Sequence, residues 1–401
     1  MKKLSIFMII CLIGFPQISE TIYTPSLPDV ARQLHISPFL AELTLGIYFI
    51  GFSLGVMLWG IIADQMGRRP ALLWGLVVYI LGCLGCMYSQ TIELFFFFRI
   101  LQAFGASAGS VVTMTVMRDL YSGQERVKIF STIGAALALS PALGPVIGGY
   151  IDQFFSWQAN FLVLIFIGIA LLIRSFFSLS ETKPVDMPKV DFASLYKLLV
   201  KMIQDKHIIA SALLIGACNG ILFSYYAEAP FIFIEYLLLT PGQYGLLGLV
   251  VAFATFAASI TSRYLVRSYT AEYVIFIGAC LSLFGASIAT GATLLGWVEP
   301  QNASLGVIAI TVPLFILFFG VCLIIPNSLS IALRDYGYAL GSAGSILGSI
   351  YYVMIALMTA AMSFFHNATV LPMPLYFFSL ALLLFLVSRE TKHFKLAVKI
   401  E

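Results

Sequence analysis

The sequence predicts an all-α integral membrane protein of about twelve transmembrane helices, arranged as two pseudo-symmetric six-helix bundles. Three observations predict it. Hydrophobic residues make up 60% of the chain and charged residues only 10%, against roughly 25% charged in a soluble domain, so this chain could not keep a wet surface in water. The apolar residues fall in blocks near the roughly 20 residues that a bilayer's hydrocarbon core requires, without the alternating pattern of a β-barrel. Lysine and arginine then gather on one side of the resulting map.

The blocks place spans at 4–27, 40–62, 71–89, 94–117, 127–151 and 158–178. They resume at 207–234, 243–264, 272–297, 303–332, 338–364 and 370–388. The longest polar stretch separates the two sets and holds Glu181, Lys183, Pro184, Asp186, Pro188, Lys189, Asp191, Lys197, Lys201, Asp205 and Lys206. The expected organisation is an N-terminal bundle over 1–180, a cytoplasmic linker over 181–206 and a C-terminal bundle over 207–401. With the N-terminus in the cytoplasm, 20 of the 22 basic residues lie on that side, including Lys2, Lys3, Arg126, Lys128, Lys189, Lys395 and Lys399. Arg32 alone is outside, and Arg99 lies within a span. The expectation is a multi-pass protein of the inner (cytoplasmic) membrane with both termini cytoplasmic. The net charge of +3 is then a topological signal, and no nucleic-acid partner is expected.

The first apolar run follows two lysines, as in a signal peptide, but Glu20, Tyr23, Pro25 and Pro28 come where a small-residue cleavage site would be. It reads as the first span. All six cysteines fall inside spans, and Cys83 and Cys86 have no second pair or histidine nearby in sequence, so neither a disulfide framework nor a metal site is expected. No G-x-x-x-x-G-K-[ST] loop is present, so no nucleotide cofactor is expected and a proton gradient is the expected energy source.

A charge inside a span costs roughly 2.5–3.5 kcal/mol on insertion scales, so each is a candidate functional residue. Glu20 in the first span, Arg99 in the fourth and Glu228 in the seventh stand out. Glu20 lies eight positions before Pro28 and Arg99 six after Glu93, which puts them roughly 12 and 9 Å below the outer end of their spans. At similar depth they could face each other across a cavity. Burial favours the neutral carboxyl and a nearby guanidinium favours the charged one, so such a pair suits proton coupling; a static lock between spans is the plainer alternative. Glu228 and Glu20 each stand shortly before a proline, Pro230 and Pro25.

Three segments carry motifs. GIIADQMGRRPALL (60–73) joins the second and third spans. Gly67 suits a tight reversal, Pro70 the start of a helix, and Asp64 the end of the second span, with Arg68 and Arg69 expected to face lipid headgroups. RILQAFGASAG (99–109) puts Arg99 and Gln102 on one helix face, with Gly105 and Gly109 allowing close approach. SPALGPVIGGYI (140–151) combines bends at Pro141 and Pro145 with a smooth face of Gly144, Gly148 and Gly149.

The first segment, with Gly60 at its head, resembles the loop motif G-x-x-x-D-[RK]-x-G-[RK]-[RK] of the major facilitator superfamily, with Gln65 replacing a basic residue. The second resembles that family's R-x-x-Q-G-x-G-A, with Ala103 for a glycine, and the third resembles its antiporter motif. The stretch 43–70, Tyr23 with Pro25, Arg118 with Asp119, and Ala229-Pro230-Phe231 are similar to the Bcr/CflA-type drug exporters. Val56, Ile61 and Glu20 depart from that branch, and the repeat of the loop motif at 262–270 is degenerate.

The resemblance implies a secondary active transporter rather than an enzyme, proton coupling through the fourth-span arginine, and export. Helices that line the cavity in this superfamily bring Tyr23, Tyr48, Gln102, Asn219, Tyr225, Tyr226 and Asn327 forward as substrate contacts. Aromatic walls with few polar groups suit drugs or small amphiphilic molecules. The expected partners are such a substrate, protons and the lipid bilayer, with the working unit a monomer. Alternatives are a dedicated exporter of one metabolite, such as a siderophore, sugar or amino-acid derivative, and a transport-inactive receptor or scaffold. The receptor is disfavoured because only about a dozen residues follow the last span.

Overall fold

Long apolar stretches without competing partners satisfy their backbone only as helices, and helices account for the regular structure described. The computed structural model describes residues 5–125, 129, 133, 140–183 and 192–392. Linker residues Pro184, Asp186, Pro188, Lys189 and Asp191 lie outside that range, as do Lys2, Lys3, Arg126, Lys128, Lys395 and Lys399. Among the described residues, eleven helices are long and apolar enough to cross a membrane. Ser140–Phe154 takes the remaining, fifth place in the order.

The first span covers Ile6–Gln33, six residues beyond the expected end, because it continues through a break. Its α-helix runs Ile6–Thr21, a 3₁₀ turn occupies Thr24–Ser26, and Leu27–Gln33 resumes the helix. Pro25 has no N–H to give the Thr21 carbonyl; the Thr24 hydroxyl donates there instead, at 2.8 Å. The next spans are Pro38–Met66, Arg68–Tyr88, Ile92–Leu120 and, after the fifth, Trp157–Ser178. The seventh, Lys206–Pro230, passes at its proline into a π-helical turn, Phe231–Tyr236. The eighth to twelfth are Pro241–Leu265, Ala271–Leu294, Ala303–Ala332, Leu340–Ser363 and Pro372–Lys392.

Part of the expected linker is helical. Phe192–Gln204 is an amphipathic helix whose Met202 is buried with Ile208, Ala212, Ala343 and Leu347 of the seventh and eleventh spans. Its Leu195, Leu198 and Leu199 pack against that cluster, at the end of the spans where the first described helix begins at Ile6 and the last ends at Lys392, the terminal face; the opposite end is the distal face.

Among the described residues, the first six spans meet the last six most extensively at two crossings, the second against the eleventh and the fifth against the eighth. In the first, Ser53 Oγ donates to the Ser349 carbonyl at 3.0 Å and Ser349 Oγ returns a bond to the Ser53 carbonyl at 3.2 Å. The fifth span is squeezed between two neighbours. Gly144 and Gly148 lie on Thr21 and Ile22 of the first span, and Gly149 on Pro241 of the eighth. A Cβ at Gly148 would overlap the Ile22 carbonyl oxygen, whereas one at Gly60 would find its nearest neighbour at 3.6 Å. We therefore expect Gly148→Ala to destabilise the protein by about 1–3 kcal/mol, the range for overpacked cores. Gly60→Ala should be near neutral in the same thermal unfolding assay in detergent.

Candidate functional site

The breaks in the first and seventh spans set the polar chemistry. Glu20 and Tyr23 stand just before the first break, and Arg99 faces them from the fourth span. Arg99 is fully buried. Its Cζ lies 4.1 Å from the centroid of the Tyr23 ring and 4.3 Å from that of Tyr48, so the cation is sandwiched between two aromatic faces. Its Nη1 donates to Gln102 Oε1 at 2.6 Å. Its Nε and Nη2 are buried donors with no hydrogen-bond partner.

The other polar groups build outward from that box. Gln102 Nε2 donates to Ser19 Oγ and Cys83 Sγ, each at 3.2 Å. Tyr79 donates to Ser19 Oγ at 3.1 Å, and the Tyr23 hydroxyl meets Thr44 Oγ1 at 2.8 Å. Glu20 is only 4% exposed and lies within electrostatic reach of Arg99, Tyr351 and Tyr352. Among the described residues it makes neither a hydrogen bond nor an ion pair within 4.0 Å. The two charges share a pocket without closing on each other.

Aromatic side chains fill the space between the bundles. Phe49 packs on Phe223 with centroids 4.3 Å apart, Phe52 on Tyr352 at 4.6 Å, and Tyr351 on Tyr352 at 4.7 Å. Tyr225 lies edge-on to Phe318 at 5.2 Å and beside Tyr226. Asn219 donates to the carbonyl of Ile215 one turn back, and Asn327 ties Ser262 of the eighth span to the tenth. Neither joins the arginine box. Phe49, Phe52, Phe223 and Tyr352 were not singled out from sequence, because nothing local separates them from the many lipid-facing aromatics.

Glu228 belongs to a second cluster at the distal face. His366, in the loop between the eleventh and twelfth spans, has Nδ1 within 3.0 Å of Glu228 Oε2 and 3.0 Å of Glu42 Oε1. Glu42 and Glu228 are buried at 0% and 1% side-chain exposure. Burial alone would lower the ring's pKa; the bonds from Glu228 and Glu42 outweigh it and push it up to about 10. Sequence reasoning missed Glu42, which stands early in the second span, and a loop histidine gave no signal of its own.

At the terminal face the reversal between the second and third spans turns at Gly67, with φ of 102°, a region open to glycine. Arg68 does not face headgroups. It is buried at 1% exposure, with Nη1 on Asp64 and Nε on Asp119, both at 3.0 Å. Burial in a tight turn brings two carboxylates within its reach, and the fork of donors serves both. Arg69 donates to the Phe176 carbonyl and lies over that ring. Gly105 packs on Gly75 and Tyr79, Gly109 on Phe15 of the first span, and Pro145 on Gly245; the Pro141 side chain lies outside the described residues.

The family model described as Major Facilitator Superfamily matches residues 9–359. The chain belongs to that superfamily. It is 34% identical over 373 residues to an uncharacterized transporter of Rickettsia bellii, covering 92% of this chain and 91% of that one. It is 26% identical over 380 residues to a bicyclomycin resistance protein homolog of Haemophilus influenzae, covering 93% of each. The structure of a D-xylose–proton symporter superposes with a TM-score of 0.75 at 14% identity, over 98% of both chains, which places the fold. The chain is a transporter of that superfamily, built on its two-bundle fold.

Glu181, just after the sixth span, accepts from the backbone N–H groups of Arg68 and Arg69 at 2.8 and 3.2 Å, capping the third helix from a distance. Partial burial works against its charge, but the N–H groups of Lys183, Arg68, Arg69 and Thr182 outweigh that and hold the carboxyl below its ordinary range. Glu181→Gln should cost about 1 kcal/mol, a usual loss for a removed helix cap. The folded value lies below the unfolded 4.5, so the contribution is present above that pH and fades as pH falls through the folded value. The gap in melting temperature between the parent and Glu181→Gln should narrow on acidification.

Proposed function

We propose that the chain is a proton-coupled exporter of drugs or small amphiphilic molecules, working by alternating access, with the face bearing the termini in the cytoplasm of an inner-membrane protein. The observation that carries this reading is the pocket in which Glu20 and Arg99 are both buried and not ion-paired. An arginine does not release its proton under cellular conditions, so the titrating member is Glu20. Protonated, Glu20 loses its attraction to Arg99; ionised, it is drawn to the two unused guanidinium donors. Rocking of one bundle against the other changes the water around that pocket and so moves the proton on or off.

Substrate shares the same space. Tyr23, Tyr48 and the aromatics of the second, seventh and eleventh spans offer flat apolar faces with few fixed polar demands, which tolerate varied amphiphilic molecules. A bicyclomycin resistance homolog among the relatives supports a drug-like substrate class. The loop motif with Arg68 at its centre joins Asp64 to Asp119 and keeps the first bundle rigid while it moves. No cofactor is needed beyond the proton gradient, and one chain holds both bundles, so a monomer suffices.

A panel of dyes and drugs, measured for efflux with and without a proton uncoupler, tests the reading. Glu20→Gln should reduce uphill efflux by at least tenfold, roughly the weight of 1.4 kcal/mol, without changing the melting temperature downward. Arg99→Ala should reduce uphill efflux likewise, with a fall in melting temperature as its buried contacts are lost. Efflux that ignores the uncoupler, or that persists uphill in Glu20→Gln, overturns it.

A further inference from the structure

The cluster at the distal face sets two buried carboxyl groups against a single imidazole. Glu42 comes from the second span, Glu228 from the seventh, and His366 from the last loop, so the cluster joins the two bundles. Nδ1 of His366 carries at most one proton. Its hydrogen-bond geometry is met by Glu228, whose oxygens lie 3.2 and 3.0 Å away. Glu42 Oε1 is equally near the nitrogen, yet both of its carboxylate oxygens are buried without a hydrogen-bond partner. One carboxylate is therefore served, and the second is aimed into the same point unserved.

A buried carboxyl group with both oxygens unpartnered is costly. Two carboxylates and a neutral imidazole around a divalent cation carry no net charge and leave neither carboxylate unserved. One donor atom from each residue lies within 4.8 Å of the others, so a small ion can be reached by all three with little rearrangement. One imidazole nitrogen and two carboxylate oxygens, with a fourth position for water, form a donor set that Zn²⁺ accepts in tetrahedral geometry. Phe231 packs against the His366 ring at 5.3 Å, edge to face, and fixes its plane.

We propose that Glu42, Glu228 and His366 form a binding site for a transition-metal dication of the Zn²⁺ type, bridging the two bundles at the distal face. The metal replaces the Nδ1 proton and is held by Glu42 and Glu228 from opposite bundles. Its occupation therefore favours the state in which the distal ends of the second and seventh spans are together. The inference depends on the fold and the cluster and is independent of the exporter reading, since none of its measurements involves transport.

Zn²⁺ is the probe, titrated by calorimetry into the full chain in detergent after chelator treatment and removal of any affinity tag. One ion per chain should bind. Glu42→Gln and His366→Ala should each weaken binding by at least about tenfold, the effect expected of a lost ligand. His366 sits in a loop, so its variant keeps the test usable if Glu42→Gln folds poorly. Hydrogen exchange should slow in 38–45 and 226–234 together on adding Zn²⁺. Absence of binding by the parent chain, unchanged affinity in His366→Ala, or protection of only one of the two segments overturns the proposal.

Discussion

A guanidinium that keeps its proton has to be made tolerable by its surroundings when it lies inside a bilayer protein. Arg99 is accommodated by two ring faces and one amide oxygen rather than by a carboxylate. Tyr23 brings in the first span, Tyr48 the second, and Gln102 the fourth span's own next turn. Ser19, Tyr79 and Cys83 are then positioned by what Gln102 still has to satisfy. The first bundle is in this sense assembled around one charge, and the glycines of the fourth span are what let the neighbouring helices come close enough to enclose it.

The two breaks are variants of one device. In each, a proline removes a backbone donor near a buried carboxylate and the helix changes its winding at or just past it: a 3₁₀ turn over Thr24–Ser26 that contains Pro25, and a π turn that follows Pro230. The first places a carboxylate beside the arginine box. The second places one at the distal face, where a loop histidine and a carboxylate of the other bundle meet it. Similar local sequence thus yields two sites of different chemistry, because the partner helices differ.

The helices were legible in the sequence because each bilayer crossing needs its own apolar block, and the tenth span, 303–332, matches to the residue. Break points were less so. Pro25 announces a defect, but that the helix resumes to Gln33 depends on Trp157 and Asn160 of the sixth span, which bond Gln33 and Ser26. At the site, Glu20, Arg99 and Gln102 stood out because charge and amide are rare at that depth. Glu42 lies near a span end and His366 in a loop, where a titratable side chain gives no signal; only the packing of distant segments makes them one cluster. The sequence points Arg68 towards headgroups because a basic pair at a helix start usually faces them. Its carboxylates come from 64 and 119, and the second is too distant in sequence to be paired by eye.

The reciprocal bonds between Ser53 and Ser349 bear on how two close-packed bundles can part at all. A helical serine always has a second acceptor in reach, the carbonyl one turn back in its own helix. Were the second and eleventh spans to separate, as alternating access would require, each hydroxyl could swing to that oxygen, and the carbonyl it leaves would keep its own helical N–H. Neither serine would then be stranded in the hydrocarbon. The contact would act like a ratchet pawl with a tooth always to rest on, and resistance to sliding would fall to the aromatic packing around it.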